Sequence, residues 1–242
     1  MTRDDYLAGL LDNASAFVDA VQGADLDATV PSCPDWKLRD LAGHLGTHYR
    51  WVRGNVGRSP DEGPQPRGEL AGPPADDTIA AWVGEGATAL AETLGQTDMD
   101  TPCWTFFGPS RAGFWHRRTA QESAMHRWDA QNTTGEADPI GPLAVDGVDE
   151  WLALLGVIRG DGLARPEPAT IHLHCTDAPG EWLLALGADG MTVTPEHAKG
   201  DAAVRGTASD LLLLLLGRKS ATDVEVFGDV VVLDGFLAQS SF

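Results

Sequence analysis

The feature that most constrains this chain is a change of hydrophobic period partway along it. Up to about residue 140, apolar side chains recur at three- and four-residue steps, the repeat of helices that bury one face. From Ala169 onward the apolar runs shorten and are split by turn residues such as Ala178-Pro179-Gly180 and Ala188-Asp189-Gly190. That second pattern is the one short strands leave. The expected class is therefore α followed by α+β: an N-terminal four-helix bundle, then a small C-terminal α+β domain.

The first helix is expected over residues 4–22, where Tyr6, Leu7, Leu10, Leu11, Ala14, Phe17, Val18 and Val21 form one stripe that Gly23 ends. The second is expected to open at Asp35, with Trp36 in its first turn, and to run to about Val56. Its inward positions would be Trp36, Leu41, His44, Leu45, His48 and Val52. Residues 58–75 are rich in proline and read as a loop long enough to shape a cleft. A third helix spans roughly Asp76 to Leu94, and a fourth runs from about Gly113 to just before Gly135. Asp149 to Ile158 reads as one more helix. Strands are expected at Thr170–Cys175, Glu181–Leu186, Met191–Thr194 and Ala202–Arg205, with a buried helix at Ser209–Gly217 and a last helix or strand between Phe227 and Phe236. Arg165-Pro166-Glu167-Pro168 is the stiffest segment and the expected linker. It divides the chain into domains 1–160 and 165–242.

Bulk properties remove several function classes. A net charge of -19 repels phosphate backbones and anionic membrane surfaces, so neither nucleic acid nor membrane is an expected partner. The longest leucine run, Leu211 to Leu216, is far too short to span a bilayer. The acidic N-terminus does not read as a secretory signal, and the expected compartment is the cytoplasm. Cys33, Cys103 and Cys175 are widely spaced and odd in number, which argues against a disulfide framework and for inert, packed thiols. Neither a glycine-rich phosphate loop nor a G-x-S-x-G elbow is present.

The chemistry concentrates in Gln121-Glu122-Ser123-Ala124-Met125-His126-Arg127-Trp128-Asp129. Glu122 and His126 are four apart and share a helix face, where a carboxylate and an imidazole can chelate one ion. His44, on an inward position of the second helix, supplies the best third ligand. Three protein ligands with an open position are the pattern of a catalytic zinc site, although two histidines and a glutamate also suit nickel, iron or cobalt. Asp129, three residues past His126, is placed to hydrogen-bond a ligand histidine or a bound substrate. His48 is a fourth ligand, an acid/base group or a core histidine. Trp36, Trp51, Trp82 and Trp128 fall at helical spacing and read as core or cleft wall. His172 and His174 alternate on a strand and so face the same way. Two such ligands make a weak site, and they read as surface or packing residues.

Two segments resemble a known family. Pro34-Asp35-Trp36-Lys37-Leu38-Arg39-Asp40-Leu41-Ala42-Gly43-His44-Leu45 is similar to a "W-x-x-x-D-L-x-x-H-L" helix, and Glu122 through Ala130 to an "E-x-x-x-H-x-x-D-A" helix. Both belong to the mycothiol-dependent maleylpyruvate isomerase family. The ending Gly206 to Arg218, then Val226 to Asp229, is similar to that family's C-terminal domain. The resemblance implies a DinB-like bundle followed by a sterol-carrier-protein-like domain. It implies metal ligands His44, Glu122 and His126, with Asp129 matching the family's aspartate. The family also uses an arginine; Arg53, Arg58 and Arg67 are the candidates, and Arg53 is placed first.

The implied function is that of a metal-dependent enzyme using mycothiol or a similar thiol on an electrophilic unsaturated small molecule, as isomerase or S-transferase. Asp129 or His48 would manage protons and the arginine would hold a substrate carboxylate. The aromatic segment Trp104 to Phe107 would wall the cleft. A metal-dependent hydrolase with Asp129 as base is the alternative, and a metal-stabilised binding module a third. The sequence leaves the oligomeric state open.

Overall fold

The protein is described here by a computed structural model that covers residues 1–240. It divides into two compact units, Met1–Asp138 and Pro139–Phe242. Among the described residues, no helix is long and apolar enough to cross a membrane.

The first unit is a bundle of four helices: α1 (Arg3–Val21), α2 (Leu38–Val56), α3 (Asp76–Gly95) and α4 (Ala112–Thr134). Helix α1 starts with a capping box, in which the Thr2 hydroxyl accepts from Asp5 N–H and the Asp5 carboxylate accepts from Thr2 N–H. Helices α1 and α2 each pack against both α3 and α4. Leu10, Phe17, Leu41, Leu45, Tyr49, Leu90, Leu94 and Trp115 fill the space between them. Two short strands, β1 (Thr29–Val30) and β2 (Cys33–Lys37), pair antiparallel between α1 and α2.

That hairpin corrects one expectation. Trp36 lies in β2, not in the first turn of α2, which starts at Leu38. The cap is set from inside the helix, because the Asp40 carboxylate reaches back to Lys37 N–H at 2.8 Å. Asp35 therefore has no capping role, and the chain before Lys37 is free to pair as a strand.

Close approach of α2 and α3 depends on Gly46. A Cβ there would stand 2.1 Å from the Trp82 ring. That ring cannot easily retreat: the Arg50 guanidinium sits 3.9 Å from its centroid and bonds the carbonyls of Gly46 and Trp82. Gly46→Ala is therefore expected to destabilise the protein by roughly 1–3 kcal/mol despite alanine's better helix propensity. Thermal unfolding checks this, with Gly57→Ala as control because a Cβ there meets nothing within 4 Å. Equal melting temperatures for the two variants would refute it.

The second unit begins earlier than the 165 boundary expected from the proline pair. Helix α5 (Ala144–Arg159) belongs to this unit and packs against α6 (Ala208–Leu215). The Trp151 indole N–H bonds the Leu215 carbonyl, and the Trp182 indole N–H bonds Asp149. Prolines 166 and 168 thus sit within the domain. Its sheet holds β3 (Ala169–Cys175), β4 (Glu181–Gly187), β5 (Gly190–Thr194), β6 (Ala202–Gly206) and β7 (Glu225–Gly228), in the order β5-β4-β3-β6-β7. Only β3 and β6 run parallel. The final helix is α7 (Val230–Ser240), so the stretch from Phe227 contains both the strand and the helix that the sequence allows.

Candidate metal centre

Helix α4 is the most polar of the bundle, yet most of it is buried. It buries His116, Arg118, Thr119, Gln121, Ser123, His126, Arg127 and Asp129. Buried polar groups cost free energy unless paired, so such a helix needs a network around it. Part of that network is structural: Arg127 bonds Asn13 of α1 and Gln131 of its own helix. Another part, formed by Arg118 and His126, converges on Glu122.

Glu122 Oε1 lies 3.1 Å from His44 Nε2 and 3.3 Å from His126 Nε2. One ligand atom from each of these three residues lies within 4.8 Å of the others. An ion bound tetrahedrally at about 2.0–2.1 Å has ligand–ligand edges of about 3.3 Å, so this donor set fits a divalent cation such as zinc. Helix α2 brings His44 and α4 brings the other two, as the spacing of the residues requires. His44 is partly exposed, while His126 is buried, so the centre is open on its His44 side.

Asp129 is wholly buried. Its Oδ2 lies 2.9 Å from His126 Nδ1, and its Oδ1 accepts from the Ser32 hydroxyl at 2.5 Å. With Nδ1 held as the N–H donor to Asp129, Nε2 is the nitrogen that faces Glu122 and that would bind an ion once deprotonated. Ser32 sits in the turn of the β1–β2 hairpin, which also lays Trp36 over His44 and His126 at ring distances of 4.9 and 6.4 Å. Nothing in the sequence links residue 32 to residue 129.

The electrostatics follow from this packing. Burial works to raise the Glu122 pKa, but hydrogen bonds from His126 and His44 and the nearby Arg118 charge hold it well below the usual carboxylate range. Burial pulls His126 down, yet Asp129 and Glu122 together outweigh it and raise His126 to about 9. His48 lies 6.4 Å from the His44 ring and outside the three-donor group. Burial pushes it down to about 4, and its Nε2 is buried without a hydrogen-bond partner. It is thus a neutral imidazole beside the centre.

The arginines are arranged differently from the sequence-based order. Arg53 is exposed, nine residues past His44 and so half a turn round α2 from it. Arg58 serves its own loop by bonding the carbonyls of Gly63 and Glu62. Arg67 stacks over Trp51 at 4.6 Å and lines, with Trp36, Arg39, His44 and Pro73, a cleft of about 670 Å³. Arg118 bonds Glu122 Oε2 at 3.2 Å. The four-residue steps Arg118, Glu122, His126 place all three on one helix face, a signal that could have identified it. Trp104 and Phe106 pack on Trp51 and Trp115 and do not line this cleft. Cys103 and Cys175 are buried, and burial raises both thiols, in keeping with packed cysteines.

Residues 7–131 match the family model of the mycothiol maleylpyruvate isomerase N-terminal domain, and residues 142–235 match that of the MDMPI C-terminal domain. The crystal structure of the mycothiol-dependent maleylpyruvate isomerase superposes with a TM-score of 0.62 at 13% identity, over 93% of each chain. A histidine-to-alanine mutant of that enzyme superposes with the same score and coverage at 11% identity. At such identities the likeness establishes a common fold. No curated protein matches the sequence. With one model spanning the bundle and the other the α+β unit, the chain belongs to the mycothiol maleylpyruvate isomerase family.

Proposed function

We propose that the protein is a thiol-dependent isomerase or S-transferase that acts on a small unsaturated electrophile carrying a carboxylate, the class that includes maleylpyruvate. The observation that carries this reading is the convergence of His44, Glu122 and His126 at a centre left open on its His44 side. A divalent cation, most simply zinc, would favour the thiolate form of a thiol such as mycothiol there. Glu122 and the buried His126 form the inner wall of the centre, and Asp129 fixes the His126 tautomer. His48, kept neutral by burial, lies beside the centre as a weak base. Arg67, which lines the same cleft as His44, would hold a substrate carboxylate.

The chemistry balances without a further reactant. The thiolate sulfur bonds to one alkene carbon, and the electron pair moves onto the conjugated carbonyl. The former double bond rotates, and expulsion of the thiolate restores it in the other geometry. Protonation of the adduct instead leaves a stable thioether, the transferase outcome.

The hydrolase alternative needs a free base beside the centre. Asp129 is its only good candidate, and both its oxygens are engaged in a wholly buried position. The experiment is conversion of maleylpyruvate by the purified protein with and without mycothiol. Conversion that requires the thiol and stops on chelation is expected. Thiol-independent hydrolysis of a small ester or amide by the same preparation would overturn the reading.

A further inference from the structure

The chain has seven histidines, and three of them surround one glutamate in the C-terminal unit. His172 Nε2 lies 2.7 Å from Glu181 Oε2. His174 Nδ1 and His197 Nδ1 lie 2.7 and 3.1 Å from Glu181 Oε1. These residues come from three separate segments. His172 and His174 share the β3 face opposite Ile171 and Leu173, Glu181 opens the paired strand β4, and His197 belongs to the crossover between β5 and β6. His172 is buried although histidine usually keeps an edge in water.

The crossover is held against the sheet independently of His197. A Cβ on Gly200 would meet the His172 backbone nitrogen at 2.9 Å and the Ala202 carbonyl at 2.4 Å, so only glycine lets the two backbones come this close. Asp201 adds a clamp, its carboxylate accepting from both the N–H and the hydroxyl of Thr170 at 2.8 Å. The loop is thereby placed so that the His197 ring stands 5.1 Å from that of His172.

The geometry points to a second divalent-cation site, distinct from the bundle centre, with His172, Glu181 and His197 as ligands. Their ligand atoms lie within 4.8 Å of one another. Two imidazoles and a carboxylate are a donor set that suits zinc or nickel rather than calcium or magnesium. His174, on the same carboxylate, donates to Glu181 and orients it as a partner of a metal ligand does. The ion would staple the β5–β6 crossover to the sheet. The site is assembled by tertiary contact, which is why the spacing of His172 and His174 alone reads as surface.

The test uses the full-length protein, stripped with chelator and equilibrated with zinc. Two zinc ions per chain are expected, one after His197→Ala, one after His126→Ala and none in the double variant. Limited trypsinolysis gives a second readout, since Lys199 is exposed in the crossover. At free zinc a hundred times the dissociation constant, cleavage after Lys199 is expected to slow about a hundredfold in both the unmodified and the His126→Ala proteins, and to be unchanged by zinc in His197→Ala. A single zinc that His126→Ala removes and His197→Ala does not, with no protection of Lys199, would overturn this site and leave the bundle centre standing. The converse loss would overturn the bundle centre alone.

Discussion

His126→Ala is expected to strip the bundle centre of its cation and to lower thiol-dependent kcat/KM by on the order of a thousandfold. The size follows from what a bound cation contributes, several kcal/mol of charge stabilisation, at roughly 1.4 kcal/mol per tenfold in rate. His126 is the ligand with no substitute nearby. It is buried, it touches Glu122 on one ring nitrogen and Asp129 on the other, and His48 stands outside the three-donor group. Its removal also leaves the buried Asp129 and the half-buried Glu122 short of a partner, and breaking a buried ion pair costs roughly 3–5 kcal/mol. Loss of activity by unfolding must therefore be separated from loss of the ion. His44→Ala makes that separation, because His44 is partly exposed and its loss leaves the Asp129–His126–Glu122 chain intact. Metal analysis and kinetics on both variants are the measurement. A folded His44→Ala protein that keeps both its zinc and its rate would sink the assignment.

Much of the fold could be read from the sequence because its helices are strongly periodic. The expected boundaries of α1, α3 and α4 lie within a residue or two of those observed. The departures have physical causes. Trp36 looked helical because Asp35 resembles a cap, but the competing cap at Asp40 wins and β2 pairs with β1. Helix α5 looked like a fifth bundle helix because a helical stripe does not say which core it faces; Trp151 and its bond to Leu215 decide that.

The candidate centre shows the same division. Glu122, His126 and Asp129 share one helix, so their spacing carries their geometry. Ser32 and His197 reach their partners only through the folded chain, and no spacing reports them. The arginine lay between these cases. Arg53 is the first of the three arginines that the resemblance leaves open, and it stands nine helical residues from His44, half a turn round α2. Arg118 was legible from its four-residue step to Glu122, and Arg67 only from the loop's course over Trp51.

Asp129→Asn is the second large expectation, a loss of metal affinity of roughly 10–100-fold with the fold retained. Asparagine keeps the shape and can still accept from the Ser32 hydroxyl. Its amide then donates to His126 Nδ1, which forces the ring proton onto Nε2 and removes the lone pair that would bind the ion. With the amide turned the other way the tautomer survives, but the ring loses its charged partner and is a weaker donor to the ion. Either orientation also changes the pH dependence. In the metal-free protein His126 titrates at about 9, above the ordinary 6.5, because Asp129 and Glu122 outweigh the effect of burial. A raised histidine pKa stabilises the fold fully below about 6.5, and that contribution is lost as pH rises through about 9. The ion must displace the same proton, so its affinity runs the opposite way, rising about tenfold per pH unit across that window. Removing the Asp129 charge lowers the His126 pKa, so both slopes should weaken together in Asp129→Asn. Zinc affinity and chemical denaturation of the metal-free protein, each followed from pH 6 to 9, measure the two slopes. Affinity in the variant that matches the unmodified protein at every pH would mean that Asp129 does not orient His126.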